Sequence, residues 1–436
     1  MRAPPTADAL GQSLEMRRDP LGLLDRLARD HEAVGLAPIR LAATEGYLVF
    51  APELVELVLR ARMRSFNRQT PVYRSLSRFL GNGILTSEGE HWRKHRRVVQ
   101  PAFHRQRLRS FGDTMVRLCD QALAQWGTEI HVADEMMRLT LAVVGEVLFG
   151  TDMDWMAAEL GGALDHAQRH TESVVAGLIP ADDEWTSRRG RRFAKAVATL
   201  DRLAFQLIDE RRAKGVDGDD VLGMLLAARD EEGRPLPRQQ VRDEVMTLLS
   251  AGHETTANAL TWSASELARH PEVMERLVAE VDALGDRAPG SDDLPALTYT
   301  RRVLDEAMRL HPPVWTTGRI ADEPVELGAV TVRPGELVLL SPWVTHRLPG
   351  LWDDPLQFDP DRWARAEVPA HPFAFFPFGG GARKCVGEAF AYLEATLILA
   401  RVAQRVRLEP MDGLPEPEPQ LTLGVRGAAR TRVTRR

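Results

Sequence analysis

The chain has 436 residues, of which 44% are hydrophobic and 27% charged, with a formal net charge of −6. This is ordinary globular composition, long enough for a large buried core. Two cysteines, Cys119 and Cys385, exclude a disulfide framework and suit a reducing cytoplasm.

The first eighteen residues, MRAPPTADALGQSLEMRR, are charged and proline-broken. They lack a signal peptide's apolar core and the ~20 apolar residues of a membrane span, and nothing later supplies a span. Residues 1–18 therefore read as an N-terminal tail. Ile39–Phe50 follows as a hairpin. Apolar runs at helical spacing come next, at Leu54–Leu59, Met115–Trp126, Met136–Leu148, Phe193–Ile208 and Val221–Ala228, then Val241–Leu267 and Phe390–Val406. Val325–Ser341 reads as a second hairpin turning at Arg333-Pro334-Gly335-Glu336. Leu421–Val425 reads as a late strand, and residues 426–436 as a basic tail. No linker, low-complexity tract or internal repeat divides the chain. The expected fold class is mainly α with a minor β-sheet region, in one large domain over 1–436.

Val241–Leu267 lies in a helix expected from about Arg238 to the stop at Pro271, roughly 48 Å long at ~1.5 Å per residue. Being apolar on most of its circumference, it should pass through the core. Its middle reads Ala251-Gly252-His253-Glu254-Thr255-Thr256. A glycine there costs ~1 kcal/mol, and threonine side chains can bond back and bend the helix. The segment reads either as a helix-packing notch or as an opening made for something.

The stretch Phe375-Phe376-Pro377-Phe378-Gly379-Gly380-Gly381-Ala382-Arg383-Lys384-Cys385-Val386-Gly387 sits directly before the last long helix. Cys385 would face that helix's positive end, with Arg383 and Lys384 beside it, an environment that lowers a thiol's pKa and favours the metal-ligating thiolate. The glycines remove side chains and let backbone approach something large and flat, and Phe378 could cover the sulfur. A buried, inert cysteine is the bland alternative, and Cys119 on its apolar run fits it. No phosphate-loop pattern is present. The combination Phe378-x-x-Gly381-x-Arg383-x-Cys385-x-Gly387 arises by chance in roughly one chain of this length in ten thousand.

On that combination the chain resembles the cytochrome P450 family, from about Asp19 to Val425. The resemblance implies haem b bound through Cys385 as axial iron ligand, with Arg383 on a propionate and Gly387 and Phe378 in the cofactor loop. A cysteine thiolate pushes electron density to haem iron and favours O–O cleavage. The AGHETT segment resembles the family's oxygen-activation motif: Ala251 and Gly252 would leave room for O2, and Glu254 and Thr255 would relay protons. Six Glu-x-x-Arg matches occur in the chain; only Glu306–Arg309 lies between the long helix and Cys385 and runs on into His311-Pro312-Pro313. The resemblance makes Glu306, Arg309 and Arg362 a buried salt-bridge triad. Between His91 and Gly112 stand seven Lys/Arg and no acid. This block reads as a nucleic-acid patch, a solvated helix or, by the resemblance, a divided surface. In that last case Trp92 and Arg96, neighbours at i,i+4, reach the propionates while the other cations meet an acidic electron-transfer protein. Arg319 matches a further propionate-pairing arginine.

The resemblance thus implies a soluble bacterial monooxygenase, a cytoplasmic monomer with no membrane span and no nucleic-acid partner. NAD(P)H electrons would arrive through a separate ferredoxin or flavodoxin-type donor and its reductase, and O2 would be co-substrate. A haem-thiolate peroxygenase or rearranging enzyme, and a non-catalytic haem-binding protein, are the rivals. The substrate would be an apolar small molecule: fatty acid, terpenoid, carotenoid or steroid. Two stretches, AGHETTANALTW and LVLLSPWVTHR, look most like members acting on carotenoids or fatty acids. Phe66–Gly81 and Trp155–Arg192 correspond to the family's pocket and lid.

Overall fold

The Arg238–Arg269 helix is the axis around which the other elements are arranged. Its 32 residues end where Pro271 opens the next helix, since a proline there has no N–H to continue the hydrogen-bond ladder. Every residue from Val241 to Ser250 and from Thr256 to Ala268 is buried. The break between these stretches, at Ala251, Gly252, Glu254 and Thr255, is the one the sequence marks. The Val132–Phe149, Thr298–Leu310 and Glu388–Arg405 helices pack against it, and Trp262 is enclosed at its C-terminal half. In this computed structural model residues 9–41, 44–175, 187–215, 220–229, 233–427 and 429–436 are described.

Burial of this helix is not wholly apolar, as its composition alone suggests. Near its start Arg242, Asp243 and Glu244 are buried together. Arg242 donates to Asp201 Oδ1 at 2.7 Å and to the Phe79 carbonyl at 2.6 Å. Asp243 accepts from Asn82 N–H at 2.9 Å and Glu244 from Ile84 N–H at 3.2 Å. The second Glu244 oxygen meets His95 Nδ1 on the Gly89–Val99 helix. Buried charge is tolerable only when paired and hydrogen-bonded; here the pairing ties the Gly81–Ile84 loop and the basic helix to the axis.

A five-stranded sheet flanks the helices. Leu36–Leu41 pairs antiparallel with Thr44–Val49, and the latter pairs parallel with Leu337–Leu340. Thr317–Ala321 and Phe66–Asn67 complete it. The first hairpin is as expected, but Val325–Ser341 is not a single hairpin. Val325–Leu327 and Val330–Val332 form a tight one of their own, turning at Gly328. The Arg333–Glu336 turn instead sends the chain into Leu337–Leu340. That Leu-Val-Leu-Leu run is a continuous apolar segment, as suits a strand covered on both faces, and it pairs on both edges, with Thr44–Val49 and Thr317–Ala321.

Both expected tails are structured. Ala9–Arg18 is a helix, and residues 1–8 lie outside the described set. It is held by Gln12 accepting from Arg40 N–H at 2.8 Å and by Glu15 pairing with Arg26, long-range contacts that proline content does not reveal. The basic end is the strand Arg430–Arg435, paired between Glu129–His131 and Val406–Pro410. Thr431 and Val433 face inward, while Arg430 and Arg436 meet Asp412 and Asp282. The run of arginines masked a period-two pattern. Among the described residues no helix is long and apolar enough to cross a membrane.

Candidate active site

Cys385 closes a loop whose shape is set by its own backbone. Its N–H donates to the Phe378 carbonyl at 3.0 Å, and that of Lys384 to Gly381 at 3.1 Å. The Glu388–Arg405 helix begins three residues later, capped at Gly387. Gly381 has φ +66°, and a Cβ there would lie 1.9 Å from the Leu59 carbonyl oxygen. This glycine therefore serves contact with the Leu57–Ala61 turn rather than approach to a ligand, which corrects the sequence expectation. Around Gly387, by contrast, the nearest atoms to a Cβ are 3.9 Å away, Cys385 Sγ among them. Phe378 packs against Tyr392 with ring centroids 5.0 Å apart and lines the same cavity as Cys385.

The thiol is not poised as its position suggests. Burial pushes it above its ordinary range; the Gly387 N–H draws it back, Glu388 raises it and Arg96 lowers it. The expected cations are committed elsewhere: Lys384 pairs with Glu388 at 2.6 Å and Arg383 with Glu88 at 2.5 Å. Cys385 is nonetheless exposed to the cavity it lines, and such a thiol loses its proton when a metal ion takes the sulfur. Cys119 is fully buried, with its thiol pushed far up by desolvation, and stands outside any site.

The central helix supplies a second wall of that cavity. Ala251, Gly252, Thr255 and Thr256 line it, and Thr255 Oγ1 donates to the Ala251 carbonyl at 2.8 Å. Glu254 does not line it. Its carboxylate accepts from Gln168 Nε2 at 2.6 Å and from the Thr422 hydroxyl, so the acid–threonine pair expected to act together points two ways. Successive helical residues differ by ~100° in direction, which separates neighbours in sequence.

A cluster of guanidiniums borders the cavity. Arg383 donates to the Ser87 carbonyl at 2.9 Å and lies over the Trp92 ring at 4.0 Å. Arg96 donates to the Lys384 carbonyl at 2.8 Å. Arg319 is buried, bonded to the Gly318 carbonyl at 2.8 Å. Burial, and then the Arg68 charge, push its pKa down to about 9. Arg68 is the member that sequence reasoning missed, inside a stretch assigned to the pocket without a named residue. Its guanidinium lies 5.2 Å from the Tyr73 ring centroid, and its buried Nε has no partner. Four cations around one cavity, answered chiefly by Glu88, with an orphaned donor, fit a ligand carrying carboxylates. Together with a sulfur in the same cavity, the donor set fits a haem.

Glu306, Arg309 and Arg362 meet behind this loop and are fully or nearly fully buried. Arg309 forks onto both Glu306 oxygens at 2.9 and 2.8 Å, and Arg362 Nε donates to Oε1 at 2.9 Å. Two further donors were not foreseen: Trp363 Nε1 at 3.0 Å and Asp359 N–H at 3.0 Å. Arg309 also donates to the His346 carbonyl at 2.9 Å, and His346 Nε2 accepts from Phe376 N–H at 2.9 Å. Burial and the neighbouring Arg309 and Arg347 hold that imidazole neutral. The other Glu-x-x-Arg matches include Glu90–Arg93 and Glu135–Arg138, in which both arginines are solvent-exposed.

Two measurements follow from this geometry. Trp363→Phe removes one donor to a buried carboxylate and should lower stability by ~1.5–3 kcal/mol in urea unfolding; Glu306→Ala, leaving two buried guanidiniums, should cost ~3–5 kcal/mol and haem content. Glu172 is pushed up to about 7, chiefly by burial. A carboxyl with a raised folded pKa binds its proton more tightly folded than unfolded, so stability falls as pH rises from about 4.5 to about 7. Glu172→Gln should therefore be more stable than wild type at pH 8, with the gain vanishing near pH 4, as read by thermal melting.

Comparison with known proteins agrees with the geometry. The family model described as "Cytochrome P450" matches residues 11–432. The chain is 41% identical to cyclooctatin synthase of Streptomyces melanosporofaciens, over 97% of this chain and 93% of that one. It is 34% identical to pentalenene oxygenase of Streptomyces avermitilis, over 94% and 91%. The solved heme domain of cytochrome P450DA superposes with a TM-score of 0.89 at 31% identity, covering 99% of this chain and 97% of that one. A cysteine loop, a broken central helix and a cation-rimmed cavity, in a chain so matched along its length, place this protein in the cytochrome P450 family.

Proposed function

We propose that Cys385 is the axial sulfur ligand of the haem, that Arg68, Arg96, Arg319, Arg383 and Trp92 hold its carboxylates, and that Thr255 and Glu254 handle protons. The protein is a P450 monooxygenase, using haem b, O2 and NAD(P)H electrons delivered by redox partners. The bound haem supplies the iron at which O2 is reduced and one oxygen atom passes to the substrate. The observation that carries the assignment is that Cys385, Thr255 and Arg68, whose buried Nε has no partner among the described residues, border one cavity. Thr255 spends its hydroxyl proton on Ala251, so its lone pairs can accept a bond from a protonated species in the cavity. The guanidiniums anchor the ligand's edge and, once paired with carboxylates, lose the mutual repulsion that burial magnifies.

Of the substrate classes the sequence leaves open, the cyclic terpenoid is best supported, ahead of the carotenoids and fatty acids that two stretches suggest. Apart from the haem-binding groups the cavity wall is mainly carbon, with Ile84, Leu85, Leu148, Leu248, Pro313 and Val314. Such a wall recognises shape rather than polar groups. Relatives of high identity are named cyclooctatin synthase, cyclooctat-9-en-7-ol 5-monooxygenase and pentalenene oxygenase. For the electron donor we favour an acidic ferredoxin or flavodoxin. Arg93, Lys94 and Arg97 are exposed on the helix whose inward residues, Trp92 and Arg96, reach the cavity beside the Cys385 loop. Charge complementarity on that face would speed encounter.

Reduced holoprotein exposed to carbon monoxide should give the absorption typical of sulfur ligation, and Cys385→His should change it to that of imidazole ligation. An imidazole-type spectrum in the wild type would refute the assignment. Thr255→Ala should keep NAD(P)H consumption within about threefold while product per NAD(P)H drops at least ~10-fold and peroxide replaces it, since positioned proton transfer contributes ~10²–10⁴-fold. Unchanged coupling would favour a peroxygenase or rearranging enzyme. A panel of cyclic terpenes, screened by haem absorption shift and then by product analysis, tests the substrate class.

A further inference from the structure

The Gly89–Val99 helix turns Trp92 and Arg96 to the cavity, while its His91 and His95 meet the Gly81–Ile84 loop and the central helix instead. The two histidines stand at i and i+4. That spacing lays both imidazoles on one helix face and recurs where two histidines hold a metal ion. Their Nε2 atoms lie 2.7 Å apart, with ring centroids 4.2 Å apart and ring planes at 62°. The Asn82 carbonyl oxygen is 3.3 Å from His91 Nε2. A carbonyl oxygen and a second ring nitrogen are thus gathered at His91 Nε2.

The orientation of the pair is set from the core. Glu244, buried on the central helix, bonds His95 Nδ1 through one oxygen, and its other oxygen accepts from Ile84 N–H at 3.2 Å. In a neutral imidazole whose Nδ1 donates in this way, Nε2 is left with a bare lone pair. A carboxylate behind the far nitrogen of a ligating histidine fixes the ring and raises its basicity. His91 reaches solvent. Partial desolvation of its ring and the neighbouring His95 lower its affinity for a proton, with the Asn82 carbonyl, Glu244 and Asp243 opposing. Near neutral pH it therefore offers the uncharged form that ligates metal. Two cations of the same helix are engaged elsewhere, Arg93 with Glu90 and Arg96 with the Lys384 carbonyl.

We propose that His91 Nε2, His95 Nε2 and the Asn82 carbonyl form a binding site for a divalent cation that favours imidazole, with Glu244 orienting His95 from behind. Zn2+ suits it, since that ion takes mixed nitrogen and oxygen ligands and has no geometric demand of its own. Among the described residues no three His, Cys, Asp or Glu side chains are grouped as metal ligands; here the third protein ligand is main chain, and water completes the set. Tetrahedral bonds of ~2.0–2.1 Å place two nitrogens ~3.3 Å apart, so the rings part by about 0.6 Å. The exposed His91 ring can make that step. The proton shared between the Nε2 atoms moves to His91 Nδ1, and binding by neutral rings releases no net proton. The ion fastens the Gly81–Ile84 loop, whose Ile84 lines the cavity, to the helix that carries Trp92 and Arg96.

The test uses haem-loaded protein without a histidine tag, stripped with chelator, and ZnCl2 as the probe. Calorimetry, and metal analysis after dialysis, should give one more bound Zn2+ per wild-type chain than per His91→Ala chain. Zn2+ should raise the melting temperature of the wild type alone, because a ligand of the folded state stabilises it. His91→Ala removes an exposed side chain and leaves the buried His95–Glu244 contact in place. Zinc-edge X-ray absorption of the one-to-one complex should show two imidazoles with oxygen ligands, and amide exchange over residues 81–95 should slow on binding. Glu244→Gln should weaken binding ~10–100-fold; undiminished affinity in that variant overturns the orienting role of the carboxylate. Equal stoichiometry and melting in wild type and His91→Ala, or a zinc shell with one imidazole or none, overturns the site and leaves the pair as hydrogen-bonded structure.

Discussion

The buried Glu306 carboxylate is the interaction on which the cofactor loop depends. It accepts bonds from Arg309, Arg362, Trp363 and the Asp359 backbone, and each arginine spends its remaining donors on carbonyls. Arg309 reaches His346 and Pro355, and Arg362 reaches Asp353. Charges removed from water are costly unless every donor and acceptor is answered, so this carboxylate fixes the path of the chain from His346 to Arg362. Because His346 in turn accepts from Phe376 N–H, the order created around Glu306 is handed to the segment that places Cys385. The pair is a structural device whose consequence is a sulfur held in one position.

The opposite electrostatic logic governs the cavity. Where Glu306 is saturated, the guanidiniums of Arg68, Arg319 and Arg383 share a single carboxylate, Glu88 on Arg383, and Arg68 Nε has no partner among the described residues. After burial, the Arg68 charge is what most lowers the affinity of Arg319 and Arg383 for their protons. Saturated charge makes a rigid support, and undersupplied charge makes a binding site. The same residue type performs both tasks within one chain, and only the count of acceptors around each arginine separates them.

The helical class, the central helix and the cysteine loop were legible because each leaves a local signature: a long apolar periodicity, a Gly-rich turn, a proline stop. Glu306–Arg309 was legible only through its place between other motifs, since five similar pairs exist. What stayed hidden depends on contacts between distant segments. Arg68 acquires its meaning from Arg319 and Arg383, some 250 or more positions away. The Arg430–Arg435 strand was masked by its charge, although Thr431 and Val433 alternate inward. The thiol's raised affinity for its proton was also hidden, because it comes first from desolvation by the atoms that the fold packs around Cys385, with Glu388 adding to it.

The direction of Glu254 follows from the same separation of local and distant information. A helix imposes a turn of ~100° between consecutive residues, so Glu254 and Thr255 leave the central helix in different directions. Thr255 takes the cavity and Glu254 must find partners elsewhere. The partners available lie on the Asp154–Val175 helix and the 420–423 loop, both far from residue 254 in sequence. Glu254 is thus held by groups from outside its own helix, whereas Thr255 is bonded within it, to the Ala251 carbonyl. The adjacent acid and threonine are therefore fixed by different parts of the fold, one by its own helix and the other by segments that only the folded chain brings beside it.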